Sequence, residues 1–134
     1  EAIKNLMLNL KNDGYLVIVD DFLMDINNSD RQIASHQKLW SAPSFNPYFE
    51  MNKILSSLDK FSIEVHDLTS FVPRKSAWLR ILLIGLLHGY RLLLSDGTNR
   101  RNANTYLGAL ILEALYASKK AGYFAFIAKK RAVK

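Results

Sequence analysis

The run Tyr15-Leu16-Val17-Ile18-Val19 constrains this chain most, because it is apolar and largely β-branched without interruption, with Asn12-Asp13-Gly14 before it and Asp20-Asp21 after it. A continuous apolar run too short for a helix and bounded by turn residues reads as a strand covered on both faces, with acids at its carboxyl end. Ile3, Leu6, Met7 and Leu10 repeat upstream at helical spacing, so a helix stops at the Asn-Asp-Gly turn and leads into the strand. Helix, turn and buried strand in this succession are the grammar of a parallel α/β sheet.

Beyond the strand, Asn28 or Ser29 is placed to cap a helix over Asp30 to Trp40, and Pro43 and Pro47 break the chain before a second helix near Tyr48 to Leu58. Lys60 to His66 alternates apolar and polar positions, which predicts a half-exposed strand. A leucine-rich helix is predicted from about Lys75 to Ser95, and its apolar residues between Trp78 and Leu94 almost encircle it, as in a core helix or one meeting a second apolar surface. Leu107, Leu110, Ile111, Ala114 and Leu115 mark a further helix, and Tyr123 to Ala128 a last apolar strand before a basic tail.

Composition sets limits on chemistry. The 134 residues are 49% hydrophobic and 22% charged, a globular balance that suits one domain or a piece of one. The absence of cysteine excludes disulfides, a thiolate nucleophile and cysteine-ligated metal, and is compatible with a cytoplasmic location. Arg80, His88 and Arg91 interrupt the longest apolar stretch, which falls short of the roughly 20 residues a membrane span needs. The +6 net charge allows contact with phosphates or a membrane surface, but no nucleic-acid-binding signature accompanies it.

The stretch Leu10-Lys11-Asn12-Asp13-Gly14-Tyr15-Leu16-Val17-Ile18-Val19-Asp20-Asp21 resembles the Leu-Lys-Pro-Gly-Gly-x-Leu-x-Ile-x-Asp turn into the fifth strand of Rossmann-like, S-adenosylmethionine-dependent methyltransferases. Phe61 to Thr69 is similar to that family's sixth strand with its Asp-x-Thr exit, and Tyr106 to Lys130 to its closing helix, Gly-Tyr turn and final strand. The resemblance runs over almost the whole chain and is closest to enzymes acting on small isoprenoid, quinone, sterol or polyketide-like acceptors. It implies an α/β fold forming the C-terminal part of a methyltransferase sheet. Three strands in the order Tyr15–Val19, Tyr123–Ala128, Phe61–His66 are implied, the last strand antiparallel, with a helical acceptor-site region inserted at about 24–58 and 74–105. The family's glycine-rich turn and ribose-binding acid are absent, since no glycine here belongs to a Gly-x-Gly cluster behind a strand. S-adenosylmethionine would therefore need an N-terminal segment, and the isolated chain is expected to be inactive.

On this resemblance Asp21 is the catalytic candidate, an acid that would help deprotonate an acceptor hydroxyl. Asp20, Trp40, Phe45, Tyr48 and Tyr106 are the candidates to wall a hydrophobic acceptor pocket. His36, His66 and His88 are dispersed and show no metal-ligand spacing. The alternative is a noncatalytic binding or assembly module derived from such an enzyme, docking through the exposed first strand. The expected partners are the N-terminal half or a second copy, with contact at a membrane surface through Arg80 and Arg91 as a further expectation.

Overall fold

The computed structural model describes residues 2–24, 30–40, 46–94 and 97–131. Five α-helices and three strands are found among them: α1 (Ala2–Leu8), β1 (Tyr15–Leu23), α2 (Arg31–Trp40), α3 (Tyr48–Ser56), β2 (Phe61–Asp67), α4 (Ala77–Leu93), α5 (Thr98–Ala117) and β3 (Ala121–Lys130), with a 3-10 turn at Thr69–Phe71. The turn between α1 and β1 closes through a bond from Gly14 N–H to Lys11 O of 2.9 Å, with Asp13 at a left-handed φ of 59°. Asp30 caps α2, its carboxylate accepting the Gln32 N–H at 2.8 Å. The expected caps, Asn28 and Ser29, lie outside the described residues.

The chain returns from α5 to β3 through a Schellman motif. Lys120 N–H donates to Leu115 O at 2.9 Å and Lys119 N–H to Tyr116 O at 3.1 Å, with Lys119 held at φ 59°. β3 then runs up the middle of the sheet, giving the order β1-β3-β2, and it pairs antiparallel with both neighbours. The methyltransferase resemblance implies the same strand order. The sheet itself does not agree. A Rossmann-like methyltransferase requires a larger, mostly parallel sheet, whereas here three strands form a small α/β domain in which every pairing is antiparallel.

Two cores flank the sheet. On one face Phe22, Phe61, Phe124, Phe126 and Ala128 pack with Met7 of α1 and with Met51 and Leu55 of α3. The rings of Phe22 and Phe126 meet edge to face at 5.1 Å and 70°, and each buried ring contributes about 1.5–3 kcal/mol. On the other face Leu107, Ile111, Leu112, Leu115 and Tyr116 of α5 gather with Leu23, Ile33 and Ala121.

Two expectations for the strand are corrected. β1 continues through the acids to Leu23, because its antiparallel partner keeps pairing as far as Ala121, so Asp20 and Asp21 lie inside the strand and not beyond its end. Nor are both faces of β1 covered: Tyr15, Val17 and Val19 are 58%, 53% and 46% exposed. The leucine-rich α4 is not a core helix either, since none of its residues is buried. No helix among the described residues is long and apolar enough to cross a membrane.

Candidate functional site

Asp21 is half-buried and accepts a hydrogen bond from the Tyr116 hydroxyl of α5. Burial pushes its carboxyl above the ordinary range, while the bond from Tyr116 works against that rise. Burial, with the adjacent Asp21, pushes the Tyr116 phenol far upward, so the phenol stays protonated and donates. The pair clamps β1 to α5.

His36 of α2 is buried against the same helix, its Nδ1 3.0 Å from the Gly108 carbonyl. A carbonyl only accepts, so Nδ1 carries the proton, and burial lowers the ring's pKa and favours the neutral form. Trp40 completes this contact: its ring lies 4.9 Å from that of His36 and its Nε1–H donates to Thr105 O at 3.2 Å. Gly108 permits the approach, because a Cβ there would stand 2.2 Å from Trp40 Cδ1.

The remaining sequence candidates do not converge on this cluster. Asp20 is exposed and accepts the N–H of Asp21 at 2.8 Å. Tyr48 packs against Phe124 and Phe126 in the core on the other face of the sheet. Tyr106 is exposed on α5, at the rim of an apolar hollow of about 270 Å³ against α4. Phe45 lies outside the described residues.

The strongest unpartnered feature is the outer edge of β1. Lys130 N–H donates to Gly14 O at 3.0 Å and Met24 N–H to Lys120 O at 2.9 Å, which identifies the even-numbered positions as those bonded to β3. The backbone groups of the odd-numbered residues therefore point away from the sheet. At Leu23 this outward N–H is taken by Asn46 O at 3.0 Å, and at Asp21 by the Asp20 carboxylate. At Tyr15, Val17 and Val19 no backbone partner is found among the described residues. Side chains of the same three residues form the exposed face of the strand, so open backbone and open apolar surface coincide. The sequence signal was the alternation within β1, hidden because both of its faces are apolar.

A second surface lies on α4. Trp78, Ile81, Leu82, Leu86, Tyr90 and Leu93 are all exposed, whereas Arg80 and Arg91 are part-buried toward the domain. Arg80 Nη1 donates to Lys75 O at 3.2 Å. The helix thus presents apolar side chains outward as well as inward, where Ile84 and Leu87 pack on the core.

No protein-family model matches the chain, and no curated protein is significantly similar to it. Together with the antiparallel sheet, this overturns the resemblance to methyltransferases. The turn-and-strand signature that suggested it is shared by helix-turn-strand units of many folds. The chain is not assigned as a methyltransferase segment, and the S-adenosylmethionine requirement falls because it rested on a Rossmann-like architecture that the sheet does not have. No group of three or more acidic or histidine side chains suited to hold a metal is found among the described residues.

Proposed function

We propose that this chain is an assembly module that joins a second copy of itself through the outer edge of β1. The supporting observation is the coincidence at Tyr15, Val17 and Val19 of unpaired backbone groups with exposed apolar side chains. An antiparallel pairing about a twofold axis at Ile18 sets Val17 against the second copy's Val19, and Tyr15 against its Asp21. No acid then opposes an acid, and the two sheets become one of six strands. Asn46 on the Leu23 N–H closes the edge beyond Asp21, and the Asp20 carboxylate on the Asp21 N–H leaves only the Asp21 carbonyl to receive the Tyr15 N–H at each end of the ladder.

Disulfide trapping tests this register, and the cysteine-free chain makes it clean. Mixing Val17→Cys protein with Val19→Cys protein under mild oxidation should give mainly the mixed dimer. Equal yields of mixed and like dimers would reject the register, and no cross-linking would reject the pairing.

The outward apolar face of α4 favours a second reading, contact with an anionic membrane surface. Residues 74–113, which carry that face, hold six Lys and Arg against two acids, a net +4 in sequence. Sedimentation with phosphatidylserine vesicles should be lost in Leu82→Glu/Leu86→Glu, and its retention would reject this reading. A chain without cysteine needs no oxidising compartment, and we place the module in the cytoplasm.

A further inference from the structure

α4 and α5 run antiparallel, since the end of α4 leads into the start of α5 and Lys75, just before α4, reaches Glu113 near the end of α5. Between the two helices lies an apolar hollow of about 270 Å³. Leu83 and Leu87 of α4 form one wall, and Ala109 and Leu110 of α5 form the other. Ala109 keeps the space open, because its side chain ends at Cβ and any longer one would fill it. One end is closed by the Lys75–Glu113 pair, in which one carboxylate oxygen accepts the Lys75 N–H at 3.0 Å and the other accepts Nζ at 2.7 Å. Both oxygens are engaged, so this end asks no polar partner of a ligand. The other end opens beside Tyr106, which is exposed.

The shape of the hollow selects among apolar ligands. Its lining runs along α5 from Tyr106 to Glu113, two turns of helix or about 10 Å. An extended hydrocarbon chain built from tetrahedral bonds of ~1.52 Å advances about 1.3 Å per carbon, so this length accepts about eight carbons. The volume agrees, because 270 Å³ holds about nine groups of roughly 30 Å³, the share of a water molecule. Length and volume that give the same count describe a space one chain wide, which suits an unbranched chain and not a ring system of equal bulk. We infer that this hollow binds the unbranched hydrocarbon chain of a single-chain amphiphile such as a medium-chain fatty acid, its methyl end toward the Lys75–Glu113 pair and its head in water beside Tyr106. Each methylene group moved from water onto an apolar surface raises affinity about fourfold where coverage is complete, and less here, because the hollow is open along one side. The site is separate from the β1 edge and depends on neither self-association nor membrane contact.

Calorimetry with hexanoate, octanoate, decanoate, dodecanoate and tetradecanoate, each below its micelle-forming concentration, tests this. Affinity should rise about two- to fourfold per methylene as far as decanoate, then level off where added carbons project past Tyr106 into water. Adamantane-1-carboxylate, whose cage has a similar carbon content but a globular shape, should bind about tenfold or more weakly than decanoate. Ala109→Phe, which fills the hollow, should weaken decanoate by about tenfold or more and keep the parent's circular dichroism, since Ala109 is only part-buried. Leu83→Gln, which makes the opposite wall polar, should weaken it several-fold and serves if Ala109→Phe does not fold. Absence of saturable decanoate binding, affinity that climbs undiminished through tetradecanoate as in nonspecific partitioning, or a folded variant of either kind that binds as the parent does would overturn the inference. Adamantane-1-carboxylate bound as tightly as decanoate would overturn the assignment of an unbranched chain.

Discussion

Gly108→Ala and Gly85→Ala make the same chemical change on two helices and should have opposite effects. At Gly108 the new methyl would lie 2.2 Å from Trp40 Cδ1 and 2.3 Å from Nε1, whereas at Gly85 it meets nothing within 4 Å. The clash can be relieved by spreading α2 from α5 or by swinging the indole outward. The second route breaks the Trp40–Thr105 bond and the contact with His36. Overpacking costs about 1–3 kcal/mol. The lost hydrogen bond adds about 1 kcal/mol, and the gain in helix propensity returns about 1 kcal/mol. Gly108→Ala should thus destabilise by about 1–3 kcal/mol, and Gly85→Ala should stabilise by about 0.5–1 kcal/mol. Urea denaturation followed by circular dichroism measures both, and a double-mutant cycle with Trp40→Ala isolates the clash. Gly108→Ala as stable as Gly85→Ala would refute the close α2–α5 contact.

Tyr116→Phe should cost about 1–3 kcal/mol in the same assay, because it leaves the half-buried Asp21 carboxylate without its donor. Asp21→Asn keeps the acceptor and removes the buried charge whose cost appears above the carboxyl's unfolded value of 3.8, so it should match or exceed the parent at neutral pH. Burial holds the folded pKa of His36 below the ordinary imidazole value of 6.5, so its contribution is present above 6.5 and is lost as pH falls below it. Acid titration of stability should show that loss, and His36→Gln should flatten it. Lys119→Gly should raise stability by about 0.5–1 kcal/mol by relieving the left-handed residue of the Schellman turn, as thermal melting would show.

Much of the succession of elements was legible in local pattern. Helical spacing from Leu107 to Leu115 and alternation from Phe61 to His66 report periods of 3.6 and 2, and the structure carries α5 and β2 there. Exposure was not legible at β1, because a run such as Leu16-Val17-Ile18-Val19 is apolar on both faces whether or not a partner covers them. On α4 apolar residues almost encircle the helix, so the sequence did not show which side turns inward, and the structure gives that side to Ile84 and Leu87. Strand direction was not legible in the residues of β1 themselves: the Asn12-Asp13-Gly14 turn specifies how β1 begins, and nothing local to it specifies that β3 runs against it. Of the site candidates, Asp21 found its partner in Tyr116, distant in sequence and brought near only by the packing of α5 on the sheet.

The most direct test of assembly through β1 is light scattering on the parent and on Val17→Lys/Val19→Lys across a range of concentration. Both valines are about half exposed, so the variant should keep the parent's circular dichroism, while its charges occupy the strand edge. The parent should move from monomer to dimer as concentration rises, and the variant should remain a monomer throughout. A parent that stays monomeric, or a folded variant that dimerises equally well, would contradict assembly at this edge.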